Sequence, residues 1–130
     1  MRRGYRHRDV DFAYEDGHLV RSVVAEDGRS YQHRCELSTF EKVAWALDNH
    51  PREEGFGVQD MAAALVLPHT QVDVAIAFLD ERSIVDRRRR RAYVASTGVH
   101  LDAMVEWHAL RAQATGTQPP ACDDGAVDEA

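Results

Sequence analysis

The chain lacks most of the residues that would tie it to a membrane, a metal or a covalent chemistry. It has only two cysteines, Cys35 and Cys122. The second falls in a stretch poor in apolar residues, so a disulfide framework is not expected. No apolar run approaches the ~20 residues that span a bilayer. No apolar stretch follows the basic start, so a secretory signal is not expected either. A cytoplasmic protein without membrane contact is the reading. Lysine is almost absent: Lys42 stands alone among sixteen basic residues. No glycine loop of the phosphate-cradling kind occurs, since Gly55 and Gly57 bound a short extended stretch. His100, Met104 and His108 fall one helical turn apart, and His33 lies close to Cys35. A metal needs three or four converging ligands, and neither group supplies them by spacing. With no nucleophile elbow either, no enzyme activity, cofactor or metal is expected.

What is present suits one ordinary core. The 130 residues are 44% hydrophobic and 29% charged, enough apolar surface for a single domain and too little length for two. The net charge of −6 is unevenly spread. Residues 1–34 sum to +1, residues 35–97 to −2 and residues 98–130 to −5. Five consecutive arginines, Arg87 to Arg91, hold about a third of the basic charge. Charges beyond the ~8–10 Å screening length matter little to such a run, so a local basic contact is compatible with an acidic whole.

The first third reads as strands. Val10, Phe12 and Tyr14 alternate with Asp9, Asp11 and Ala13, the period of a half-buried strand. Asp16-Gly17 and Asp27-Gly28 separate three β-rich runs, and Asp-Gly tolerates the positive φ of hairpin turns. A three-stranded antiparallel meander over residues 1–34 is predicted. Its aromatics read as core. The arginines ahead of it (Arg2, Arg3, Arg6, Arg8) read as a solvated terminus.

The middle is helical. Ser38-Thr39-Phe40-Glu41 has the form of a capping box. Phe40, Val43, Ala44 and Leu47 follow at helical spacing, and Pro51 ends the run. Trp45 sits beside that stripe and reads as core. Val58, Met61, Ala62 and Leu65 mark a second helix. Val72, Ala75, Ile76 and Leu79 mark a third, from about 69 to 82. Residues 83–87 and 91–95 form a β-prone pair joined by arginines. A last helix over 98–114 carries Leu101, Met104, Val105 and His108 on one stripe, which is expected to pack on the domain. Residues 115–130 are Gly, Pro, Ala and acid, the composition of a disordered tail.

This order over residues 35–97 resembles a winged helix-turn-helix. Val58-Gln59-Asp60-Met61-Ala62-Ala63-Ala64-Leu65 is similar to the first half of that motif in bacterial and archaeal regulators. The run from Val72 through Leu79-Asp80-Glu81-Arg82-Ser83-Ile84-Val85 resembles their third helix passing into the wing. The general likeness is to the MarR- and PadR-like groups. The fold class implied is α+β, a winged helix-turn-helix carrying the N-terminal meander and an extra C-terminal helix. The resemblance implies that the third helix enters the major groove, that the wing touches backbone or minor groove, and that the last helix dimerises.

Two functions follow. The first is a small transcriptional regulator bound to double-stranded DNA, probed through Arg87, Arg88, Arg89, Arg90 and Arg91 of the wing with His69, Thr70 and Gln71 at the start of the third helix. The second is a winged-helix module for protein–protein interaction that does not bind DNA. The third helix speaks for the second. Opposite its core stripe lie Thr70, Val74, Ala77 and Glu81, flanked by Asp73 and Phe78, with no arginine or lysine to read guanine. Val74, Phe78, Leu101, Val105 and Trp107 are the candidate partner interface, with homodimerisation expected through the last helix. The alternative for Val74 and Phe78 is burial under the chain's own N-terminal strands.

Overall fold

The computed structural model describes residues 9–114. The arginines at 2, 3, 6 and 8 and the acidic stretch 115–130, on which the sequence raised expectations, lie outside the described residues. The architecture is mixed α+β: a three-stranded antiparallel sheet, three helices, a two-stranded hairpin and a C-terminal helix.

The sheet is β1 (Asp9–Glu15), β2 (His18–Val24) and β3 (Ser30–Glu36), in that spatial order. Asp16 and Gly17 have φ of 50° and 80°, the two positive values that a tight two-residue hairpin requires. The second connection is wider. Ala25 N–H donates to the Arg29 carbonyl at 2.8 Å, and Asp27 accepts from the Arg29 backbone N–H at 3.0 Å. The register sets Phe12 opposite Arg21 and Tyr14 opposite Leu19, then Arg21 opposite His33 and Leu19 opposite Cys35. Side chains alternate across a strand, so Phe12, Tyr14, Leu19, Arg21, His33 and Cys35 share one face. That face turns inward: Phe12, Leu19 and Cys35 belong to the core.

β3 runs directly into α1 (Leu37–Asp48). The expected capping box does not form. Glu36 occupies the N-cap, with no side-chain cap bond, and the Ser38 hydroxyl instead donates to Glu36 at 3.3 Å. The reason is continuity: Glu36 still pairs with His18 in the sheet, so helical geometry begins at the next residue, ahead of Ser38. Phe40, Val43, Ala44 and Leu47 are buried as their spacing requires. Trp45 is not core; it is 52% exposed.

After α1 the chain touches Ala92 through Phe56, by two backbone hydrogen bonds of 2.9 Å. α2 (Val58–Leu65) and α3 (His69–Glu81) follow, then β4 (Val85–Arg88) and β5 (Arg91–Val94). Arg52 pins the segment after α1 to the end of β5, donating to the carbonyls of Ser96 at 2.9 Å and Ala95 at 3.2 Å. α4 (Val99–Ala114) closes the described chain. Among the described residues no helix is long and apolar enough to cross a membrane.

α4 sits on the core by a face other than the expected one. Val99, Ala103, Trp107 and Leu110 are buried, whereas Leu101 is 69% and Val105 56% exposed. The helix is apolar on both arcs, so periodicity alone does not orient it. Trp107 decides: its ring meets Tyr14 edge-on at 5.9 Å and lies 4.9 Å from Phe40. The largest side chain takes the interior, and the Leu101–Val105 stripe is turned outward.

Candidate functional site

The expected DNA-contacting residues lie on α3 and the β4–β5 hairpin, and these two elements present very different surfaces. α3 is enclosed on two sides. Val72, Ala75, Ile76 and Leu79 are buried, as the sequence predicts for its core stripe. Val74 and Phe78 are also fully buried, so they are core and cannot form a partner interface. What covers them is the N-terminal sheet. Phe12 meets Phe78 edge-on at 5.3 Å, and the Phe40 ring of α1 lies 6.0 Å from it. Trp107 leaves the interface set for the same reason, being 2% exposed.

Polar contacts fasten the sheet to the same helix face. Asp73 receives Arg21 of β2 at 2.9 Å and Arg87 of β4 at 3.4 Å. One carboxylate thus joins sheet, helix and hairpin. Arg21 also reaches the His33 ring at 3.4 Å, and its side chain is only 14% exposed. Charge-assisted bonds with little access to water are stronger than their surface equivalents. At the start of α3, Gln71 is half-buried and its carbonyl accepts from the Glu36 backbone N–H at 3.1 Å. Of the three expected contacts there, only His69 and Thr70 face solvent.

The α2–α3 surface that remains accessible is uncharged or acidic. Residues 58–81 contain no lysine or arginine, against Asp60, Asp73, Asp80 and Glu81. Ala63 and Ala64 near the end of α2, and Val66 and Pro68 in the connection to α3, are exposed. Val66 is 88% exposed and sits at φ 56°, a left-handed conformation that a β-branched side chain seldom adopts.

The hairpin holds the five arginines as expected, but unequally. Arg87 is bound to Asp73, and its backbone N–H donates to Asp80 at 3.2 Å. Arg88 pairs with Asp86 at 2.8 Å and lies 4.9 Å over the Tyr93 ring. Arg91 donates to the Gly55 carbonyl. Gly55 is required there: a Cβ would come within 2.8 Å of the Tyr93 ring. Arg89 and Arg90 form the exposed turn, and among the described residues no ion pair or hydrogen bond engages either side chain. Arg89 has φ 59°, a position that favours glycine or asparagine. The basic patch therefore reduces to two guanidiniums at the tip.

Among the described residues no group of three or more His, Cys, Asp or Glu side chains is placed to hold a metal. Cys35 is buried, and desolvation, helped by the neighbouring Glu36 carboxylate, pushes its thiol up to about 12. Burial thus disfavours the thiolate, the form that attacks.

A ring pair beside the exposed Leu101, one of the expected interface residues, had no counterpart in the sequence reading. Trp45 of α1 stacks on His100 of α4, with ring centroids 3.7 Å apart and planes at 14°. Glu41 lies 3.8 Å from His100 Nε2, and Asp48 accepts from the His100 backbone N–H at 3.4 Å. The one available signal was Trp45 lying off the α1 core stripe. Comparison of the chain with protein-family models, with curated proteins and with solved structures found no match to any of them.

Proposed function

We propose that this chain is a winged-helix protein that works as a protein–protein interaction module and does not read DNA sequence through its third helix. The winged-helix reading is supported by the order of elements: α1, the Phe56 bridge onto Ala92, α2, α3 and the β4–β5 hairpin. One observation carries the functional part. The face of α3 that would enter a groove is already occupied by β1–β3, which bury Val74 and Phe78 completely. Reading bases there would mean removing the sheet and breaking the Arg21–Asp73 bond. Nor would phosphates favour the surface left over, because residues 58–81 bring carboxylates and no guanidinium.

The second reading, a DNA-binding regulator, keeps support from Arg89 and Arg90 alone. Two unpaired guanidiniums neutralise about two phosphates, for which log K falls with log salt at a slope of roughly −1.8. That is weak backbone contact with no sequence information. The test is fluorescence anisotropy with a random-sequence duplex pool at low salt, followed by sequencing of the bound fraction. The interaction reading expects no enriched sequence, and whatever weak binding occurs should vanish in Arg89→Ala/Arg90→Ala. Recovery of a defined sequence motif would restore the regulator reading.

A further inference from the structure

We infer that the outer face of α1 and α4 docks a basic amphipathic segment of another protein, an inference that rests on the interaction-module reading. Steps of 100° place Ser38, Glu41, Trp45 and Asp48 on one outward arc of α1. The same steps place Leu101, Val105 and His108 on the outward arc of α4. The two arcs are joined by the Trp45–His100 stack, and Leu101 follows His100 directly. The centre is apolar and accessible: Trp45 is 52% and Leu101 69% exposed, while Val105, a turn further on and 56% exposed, extends the arc towards Arg82 and Ser96. Half-exposed large apolar side chains grouped in this way mark a contact surface more often than scattered single ones do. Tryptophan is also among the residues that most often anchor interfaces.

Charge names the partner. Glu41 and Asp48 border the apolar centre, both within hydrogen-bonding or ion-pair range of His100. Asp102, next to Leu101, is exposed, but its carboxylate already accepts from the Ser96 hydroxyl past the end of β5. Glu106, further along α4, already pairs with Arg82 at 3.5 Å. Against these four carboxylates the two helices carry only Lys42 and Arg111. A guanidinium or ammonium brought to Trp45 meets the indole face not covered by His100, with Glu41 and Asp48 alongside, so cation–π and ionic attraction act together. A second copy of the chain would bring the same carboxylate excess to its partner, and like charge across an interface is unfavourable. DNA is repelled for the same reason.

The probe is a synthetic peptide of about sixteen residues, matching α4 at ~24 Å when helical. Leucine is placed at i, i+3 and i+4 and arginine elsewhere, and a glutamate-for-arginine version is the control. Trp45 emission reports contact, because Trp107 is buried. The arginine peptide should shift the emission, and the shift should disappear in Trp45→Phe. Affinity should fall about tenfold in Glu41→Gln/Asp48→Asn and in Leu101→Ser, and less than about twofold in the remote pair Glu53→Gln/Glu54→Gln. Leu101→Ser reads the same face should a Trp45 variant fold poorly. Three results would overturn the inference: no emission change with the arginine peptide, equal response to the glutamate peptide, or equal weakening by the remote pair. Dimerisation of the free protein that Leu101→Ser abolishes would also overturn it, assigning the face to a second copy. A DNA motif recovered in the selection experiment would sink the interaction-module reading by a separate route.

Discussion

α3 and the β4–β5 hairpin are adjacent in sequence and packed together, yet one is hidden and the other is bare. Six of the thirteen residues of α3 are buried, on two opposing sides. In the hairpin, every residue from Asp86 to Arg91 is exposed. The difference comes from one added element. The sheet β1–β3 lays Phe12 and Arg21 on α3 and leaves the hairpin tip uncovered. A helix enclosed in this way contributes stability through dispersion and the hydrophobic effect. A bare turn of arginines contributes little stability and presents charge. The helix and the hairpin thus part ways, one built into the core and the other held at the surface.

That contrast can be broken by substitution. The largest effect is expected for Phe78→Ala, which removes a fully buried ring that packs on both Phe12 and Phe40. A loss of about 3–5 kcal/mol should appear in urea unfolding, and a loss under 1 kcal/mol would mean that the sheet does not seal α3. Next comes Asp73→Ala, which strands the little-exposed Arg21 and frees Arg87. About 1–3 kcal/mol should be lost, and amides of both β2 and β4 should exchange faster. Gly55→Ala should cost about 1–2 kcal/mol by displacing Tyr93 from its place beneath Arg88. On the exposed side the sign reverses. Arg89→Gly should raise stability by up to ~1 kcal/mol, because glycine relieves the positive φ. Any weak duplex binding should weaken in the same variant. The smallest effect belongs to Val105→Ser on the outer arc of α4, within about 0.5 kcal/mol. Thermal melts of these last two variants measure how far the surface is decoupled from the core.

How much of this was legible in the sequence follows from which signals are local. The three strands and the hairpins between them were readable, because alternation and Asp-Gly pairs are local features. So were the α1 stripe and the β-turn of arginines. The orientation of α4 was not, since both its arcs are apolar and the choice falls to Trp107 meeting Tyr14 and Phe40. The cap of α1 was misplaced because β3 hands over to the helix without a break, a fact fixed by the pairing of Glu36 with His18. The burial of Val74 and Phe78 was foreseen as one of two outcomes, and their absence of exposure decides between them. The unequal state of the five arginines was out of reach. It depends on Asp73 and Gly55, both distant in sequence, coming near the hairpin, and on Asp86 within it. The Trp45–His100 stack joins residues 55 apart and leaves no periodic trace.

The central claim is that β1–β3 occupy the face of α3 that would otherwise meet DNA. It is tested most directly by NMR on the labelled protein, with and without a short duplex at low salt. The account expects cross-peaks between the Phe12 and Phe78 rings in both samples, with duplex-induced shifts confined to residues 86–91. Loss of those cross-peaks on adding duplex, with shifts spread along residues 69–81, would contradict it.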